Sequence, residues 1–256
     1  MHPILLRFHS LTLHTYGLLV AFGFLAGYWI ALRNMKRAGL SPSVSADLLW
    51  LLFLSGLLGA RLAYVATAPA YYLAHPWETL KIWEGGLVWY GGFIAAVAVG
   101  YHTIRRKGLP ALTVADALAP ALALGHAIGR VGCFMAGCCY GKPTGLPWAV
   151  EFRHPESLAP LNLPSHPVQL YEASLGGILF ILLMTLSRKD SWHVGSGRPA
   201  LLYVFSYAVL RFLLEFLRGD DRGPSLFSLS GSQAVSVALM LVCGGIVVFL
   251  RRRSHG

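Results

Sequence analysis

Charge is what this chain has least of. Of 256 residues only 12% are Asp, Glu, Lys or Arg, against roughly 25% in soluble globular domains. With 55% hydrophobic residues and a mean hydropathy of +0.58, that depletion argues against a soluble domain and for the bilayer. Acidic residues are the rarer sign, 11 against 21 basic, for a net charge of +10. A basic balance can mark a nucleic-acid binder, but here the cations sit in short clusters between apolar runs, so no nucleic-acid partner is expected. Low-complexity tracts, repeats and a separate polar domain are also missing. The expected organisation is one polytopic membrane domain over residues 1–256.

Cysteine is scarce as well. There are four, and three of them (Cys133, Cys138 and Cys139) fall within "GRVGCFMAGCCYGKPT". The C-x4-C-C spacing lacks the paired C-x2-C units of a structural zinc site and the C-x-x-C of a thioredoxin-like motif. Neither a metal nor a cofactor enters the expected chemistry. Three readings stay open: small packing residues, a Cys133–Cys138 disulfide stapling a loop, and a reactive or metal-binding thiol. Cys243, alone in a late apolar run, reads as inert packing.

What is present is a series of apolar runs, at about residues 11–32, 46–66, 86–104, 114–131, 168–186, 200–217 and 232–250. Each approaches the roughly 20 residues a helix needs to cross hydrocarbon. An all-α integral membrane protein with about seven transmembrane helices follows. The fourth run is the weakest, interrupted by Asp116, Pro120, His126 and Arg130. Basic clusters follow the first, third, fifth and seventh runs (Arg33/Lys36/Arg37, Arg105/Arg106/Lys107, Arg188/Lys189/Arg198 and Arg251/Arg252/Arg253). The positive-inside rule then places the N-terminus outside and the C-terminus in the cytoplasm. The first run lacks a basic leader and a small-residue cleavage site, so it reads as a retained helix. Two external segments are expected. An arm at 68–84, holding Tyr71, Tyr72, Trp77 and Trp83 and ending at Glu84, suits the membrane interface. A proline-rich loop covers 133–166.

Ionisable groups within spans cost about 2.5–3.5 kcal/mol each at a helix centre, yet this chain carries Arg61, Asp116, Arg130, Glu172, Arg211 and Glu215 in or beside its runs. Internal pairing that fixes helix packing is one reading of each. As a set, with most near the outer ends, they suggest one site. In "RFLLEFLR", Arg211, Glu215 and Arg218 stand at i, i+4 and i+7 and share a helix face, with Glu215 able to hold either arginine. Guanidinium groups there suit a phospholipid phosphate. His126 and Arg130 are also i, i+4, while Gly125 and Gly129 offer a small face for a neighbouring helix. Beside Arg130, the N–H groups of Gly132, Gly137 and Gly141 can approach an anion, although no GK[ST] of a P-loop follows. In "SHPVQLYEA", Ser165 reads as a helix start. His166, Gln169 and Glu172 then form a polar stripe, with Tyr171 alongside.

Taken in order, "LHTYGLL", "GARLAYV", "WEGGLVWYGG", "DALAP", "GRVGCF", "HPVQLYE" and "RFLLEFLRGDD" resemble the prolipoprotein diacylglyceryl transferase family over nearly the whole chain. The resemblance implies a bacterial inner-membrane enzyme of lipoprotein maturation. It would move the diacylglyceryl group of phosphatidylglycerol to the lipobox cysteine of a preprolipoprotein, releasing glycerol phosphate. By motif, Arg130 and Arg211 match the phosphate-binding arginines, and Tyr16, Gly141 and Glu215 match other important positions.

Three departures stand out. The family's usual histidine before two glycines is Tyr90, its usual asparagine after "GR-x-G" is Cys133, and its usual glutamate is Cys138. His126 or His166 could supply a replacement imidazole, and Tyr90, with an ordinary pKa near 10, would orient rather than deprotonate. Arg61, Glu84, Asp116, Gln169, Glu172 and Arg218 are expected in support. The competing readings are a paralogue with another acceptor, a thiol oxidoreductase passing electrons from the cysteines to a quinone, and a lipid transporter. No inverted repeat of the kind transporters show is evident.

Overall fold

The computed structural model describes residues 2–8, 11–220 and 229–253. Two short strands, β1 (Ile4–Phe8) and β2 (Leu11–His14), open the chain as an antiparallel hairpin. Helices follow: α1 (Thr15–Arg37), α2 (Pro42–Val65), α3 (Pro69–Ala74), α4 (Trp89–Arg106), α5 (Ala111–Ala136), α6 (Val168–Leu186), α7 (Arg198–Glu215) and α8 (Gly231–Arg253). The seven long helices coincide with the seven apolar runs. Five of them (α1, α2, α5, α6 and α8) are long and apolar enough to cross a membrane. α4 and α7 fall short. α4 carries Arg105 and Arg106 in its last turn, and α7 includes Arg198, Arg211 and Glu215.

The first apolar run does not begin as helix. Leu11 to His14 alternate apolar and polar, the period of a strand, and pair with β1 instead. Thr15 then starts α1, its N–H donating to the Pro3 carbonyl and its hydroxyl to the His2 carbonyl.

By contact the chain divides into two compact units, residues 1–31 with 115–256, and residues 32–114. In the smaller unit, α2 and α4 lie against one another through glycine. A methyl group on Gly59 would stand 2.6 Å from the Gly91 carbonyl oxygen, and one on Gly92 2.7 Å from that of Gly56. Such close approach is how helices associate in lipid, where hydrophobicity gives no preference for protein over acyl chain. The glycines after Tyr90 therefore serve helix packing. Arg61, buried on α2, ties down the arm. Its guanidinium donates to the carbonyls of Glu78, Thr79 (2.9 Å) and Gly85 (2.8 Å) and faces the rings of Tyr64 and Tyr72. The arm itself is α3 followed by 3₁₀ turns at Pro76–Leu80 and Ile82–Glu84, with Trp77 and Trp83 largely exposed. The Glu84 side chain lies outside the described residues.

In the larger unit, Ala119 and Ala123 of α5 pack on Leu179 and Leu183 of α6, with Leu202 and Tyr203 of α7 alongside. α5 continues unbroken through Asp116, Pro120, His126 and Arg130. A proline within a span is tolerated where neighbouring helices surround it, and Pro120 is fully buried. Gly125 meets Gly23 of α1 as the small-residue pattern implies, whereas Gly129 faces open space. Asp116 is a structural cap. One of its carboxylate oxygens accepts from the N–H groups of Gly195 and Gly197 and the other from Ala200, which closes the turn into α7. Phe22, Leu25, Trp29, Ile178, Ile181 and Leu241 are each more than half exposed. Outward apolar side chains of this kind suit contact with lipid rather than water.

α5 runs to Ala136, so the connection to α6 starts later than residue 133. It is knit by isolated backbone bridges between Pro143 and Ser165, Val150 and Ser165, and Phe152 and Leu161. Ser165 does not cap α6. Its hydroxyl reaches the Val150 carbonyl, and α6 begins at Val168 after Pro167.

Candidate functional site

The larger unit gathers its charges at one end. The C-terminal parts of α5 and α7 bring Arg130, Arg211 and Glu215, and the N-terminal parts of α6 and α8 bring Gln169, Glu172 and Ser232. Glu172 is the hinge of the cluster. One carboxylate oxygen lies 2.6 Å from Arg130 Nε, and the other lies 3.6 Å from Arg211 Nη1. Arg211 Nη2 pairs with Glu215 at 2.7 Å. The side chains of Glu172 and Glu215 are each 4% exposed, that of Arg211 8% and that of Arg130 13%. Charges this deeply buried persist only when paired. The chain of pairs Arg130–Glu172–Arg211–Glu215 is what makes two buried guanidinium groups tolerable within one bundle.

Glu215 has further partners that sequence reasoning passed over. Ser230 Oγ donates to its Oε1 at 2.6 Å, Ser232 Oγ donates to the same oxygen, and Arg211 Nη2 donates to Ser232 Oγ at 3.4 Å. A signal for them was present. "SGSQ" is a capping box, and it forms as one: Gln233 N–H donates to Ser230 Oγ and Ser230 N–H to Gln233 Oε1. The cap of α8 is thereby brought against the α7 carboxylate.

Arg218 departs from the helical stripe. α7 ends at Glu215, so Arg218 lies in the turn beyond and grips Asp220 with two nitrogens, at 2.7 and 2.6 Å, instead of Glu215. Its Nη1 is buried with no hydrogen-bond partner among the described residues, as is Arg211 Nη1. His166 departs as well. It precedes α6, so the polar stripe on that helix is Gln169 and Glu172 alone. The His166 N–H donates to the Lys142 carbonyl, and its Nδ1 is buried without a hydrogen-bond partner among the described residues. Gly141 is required by crowding, since a methyl group there would collide with the His166 carbonyl oxygen. Gly132 lies inside α5, where its N–H serves the helix, and Gly137 N–H donates to the Phe134 carbonyl. An anion at Arg130 would therefore meet side chains rather than the amides of these two glycines.

His126 Nε2 stands 3.4 Å from Arg130 Nε and accepts from it, and its ring packs edge-on to Tyr207. That lone pair is engaged by a guanidinium, a poor setting for a proton acceptor. A narrow apolar cleft lined by His126, Tyr203, Tyr207 and Leu179 opens onto Glu172 and Arg211. Tyr16, at the start of α1, packs against Gly132. Tyr90 belongs to the smaller unit, on α4 beside Trp89.

The thiols stand next to the arginines. Cys133 Sγ lies 3.9 Å from Arg130 Nη1. All four cysteines are free, so the Cys133–Cys138 disulfide is not formed in this structure. The Sγ atoms of Cys133, Cys138 and Cys139 all lie within 4.8 Å of one another. Gln169 supports the turn by donating to the Cys138 carbonyl at 2.8 Å. Hydrogen bonding from the Cys133 and Cys138 thiols holds the Cys139 thiol well below its ordinary range, and Arg218 and Arg130 act in the same direction. The Cys138 thiol is pushed up by its two sulfur neighbours and by burial.

These features define a largely helical membrane protein with a buried arginine–carboxylate network at one end of its larger unit. The family model of prolipoprotein diacylglyceryl transferase matches residues 3–250, and the chain belongs to that family. A protein of Bordetella avium named phosphatidylglycerol–prolipoprotein diacylglyceryl transferase is 36% identical over 253 residues, covering 97% of this chain and 93% of the relative. Relatives with the same name from Clostridium tetani (36% over 249 residues, 97% of each chain) and Geobacter sulfurreducens (34% over 260 residues, 99% of this chain and 97% of the relative) agree.

Proposed function

We propose that this chain transfers the diacylglyceryl group of phosphatidylglycerol to the lipobox cysteine of a preprolipoprotein, in the bacterial inner membrane, with its N-terminus periplasmic. Family membership supports the reaction. The observation that carries the site is the convergence of Arg130 and Arg211 on the single carboxylate of Glu172. Two guanidinium groups that hold one oxyanion can hold another, and the phosphodiester of the lipid carries the same single charge.

The acceptor thiolate attacks the diacylglyceryl carbon bonded to the phosphate oxygen. A carbon–sulfur bond forms, the carbon–oxygen bond breaks, and glycerol phosphate leaves with the electron pair. Negative charge on the phosphate grows as that bond breaks, so donors fixed at its oxygens favour the transition state over the bound lipid. Arg130 and Arg211 take that role. Glu215, held by Ser230 and Ser232, keeps Arg211 aimed.

The test is direct. Purified protein, phosphatidylglycerol and a synthetic lipobox peptide are incubated, and the peptide is examined by mass spectrometry. The diacylglyceryl mass on the peptide cysteine is expected. Unmodified peptide, from folded protein that binds the lipid, would overturn the reading.

A further inference from the structure

Three thiols lie together beside Arg130, at the border of the proposed phosphate site. Cys133 opens the last turn of α5. The chain then reverses at Gly137 (φ 78°) and Cys139 (φ 62°), which returns the next two sulfurs to the first. A non-glycine residue in the left-handed region is uncommon and is held only where the surroundings impose it. Here the imposed turn sets three Sγ atoms within 4.8 Å of one another. Zinc bound to thiolates at about 2.3 Å would separate tetrahedral sulfurs by roughly 3.8 Å, so a small inward movement closes the set. Among the described residues no fourth His, Cys, Asp or Glu joins the group. That leaves one coordination position for an outside ligand, the pattern of catalytic rather than structural zinc. Cys138 and Cys139 are half-buried, so the group is not sealed. It borders Arg130, which in turn contacts Glu172 at the point where both arginines meet.

We propose that Cys133, Cys138 and Cys139 form a three-thiolate zinc site whose open position binds the acceptor cysteine and converts it to a thiolate for attack. The proposal rests on the transfer reading above. A thiol that coordinates zinc gives up its proton, here to the zinc-bound water or hydroxide it displaces and so to solvent. The sulfur keeps its electron pair and forms the new bond to the diacylglyceryl carbon. The carbon–oxygen bond breaks, and glycerol phosphate leaves with that pair on the side of Arg130 and Arg211. The thioether product is a weaker ligand than the thiolate and departs. A metal of this kind would supply the deprotonation that His126, its Nε2 facing a guanidinium, is poorly placed to give.

The experiment uses the full-length protein in detergent. After reductive purification with zinc present, elemental analysis should find one zinc per chain in the wild type and in C243S, and a loss in C133S, C138S and C139S. Because a cysteine variant can fail to fold, the wild type is also loaded with cobalt(II). Its thiolate-to-cobalt absorption should rise when lipobox peptide is added and stay unchanged with a peptide carrying Ser for the lipobox Cys. Chelation should lower transfer on the order of a hundredfold, the scale of losing assisted deprotonation, with recovery on zinc. Full transfer by metal-free protein, a Cys133–Cys138 disulfide in the active enzyme, or a cobalt spectrum indifferent to the peptide thiol would each overturn the proposal and leave the transferase reading intact. A cobalt spectrum that responds to the thiol, with no thioether product from zinc-loaded protein, would support the metal site and overturn the transferase reading instead.

Discussion

Glu172 stands between Arg130 and Arg211, 2.6 Å from one guanidinium and 3.6 Å from the other, with its side chain only 4% exposed. The carboxylate keeps two like charges within one bundle. E172Q removes the charge and keeps the shape. Losing one partner of a buried pair costs about 3–5 kcal/mol, so the variant should melt well below the wild type in detergent. Phosphatidylglycerol supplies the missing anion and should raise its melting temperature more than it raises that of the wild type. Equal shifts from the lipid would separate Glu172 from the phosphate site.

Ser230 and Ser232 both donate to Glu215, but only Ser230 also caps α8. S230A therefore loses a cap worth about 1 kcal/mol in addition to its bond to the carboxylate. Its melting temperature should fall further than that of S232A. S232A, which severs the link to Arg211, should show the larger loss of transfer relative to its loss of stability. The two readouts together check the assignment.

Asp116 holds three backbone N–H groups at the turn into α7. D116A leaves them without that partner, at a cost of roughly 1–3 kcal/mol. The fraction of folded protein recovered from membranes should drop, while transfer per folded molecule stays at the wild-type value. A specific loss of turnover in the folded fraction would return Asp116 to the reaction.

Much of this arrangement is legible in the sequence. Seven apolar runs became seven long helices, with the run at 168–186 matching α6 at both ends, because the hydropathy of a span has few alternatives in lipid. The arginines and glutamates were visible as expensive residues in apolar runs, and the cluster uses Arg130, Glu172, Arg211 and Glu215. What failed depended on where elements end. The spacing of Arg218 and His166 puts both on helix faces, but α7 stops at Glu215 and α6 starts at Val168. The four alternating residues of β2 are faint beside a long apolar run, which reads as span throughout. The meeting of three thiols was hidden since it depends on a reversal at Cys139, a residue type that gives no sign of a positive φ.

Trp77 and Trp83 are 79% and 75% exposed on the arm. If the arm lies at the lipid surface, brominated lipid should quench the fluorescence contributed by both, and W77F and W83F should each remove part of the quenched signal. Emission from the arm that responds only to an aqueous quencher would place it in water.

In the proposed site Arg130 and Arg211 act on one phosphate. The measurement is the rate of transfer from phosphatidylglycerol to a lipobox peptide by R130A, R211A and the double variant, each shown to be folded. Loss of an oxyanion donor costs about 10²–10³ in rate. Residues that work as a unit are strongly non-additive, so the double variant should be little worse than either single one. Multiplying losses in the double variant, or single variants with near wild-type rates, would show that the two arginines do not share one phosphate.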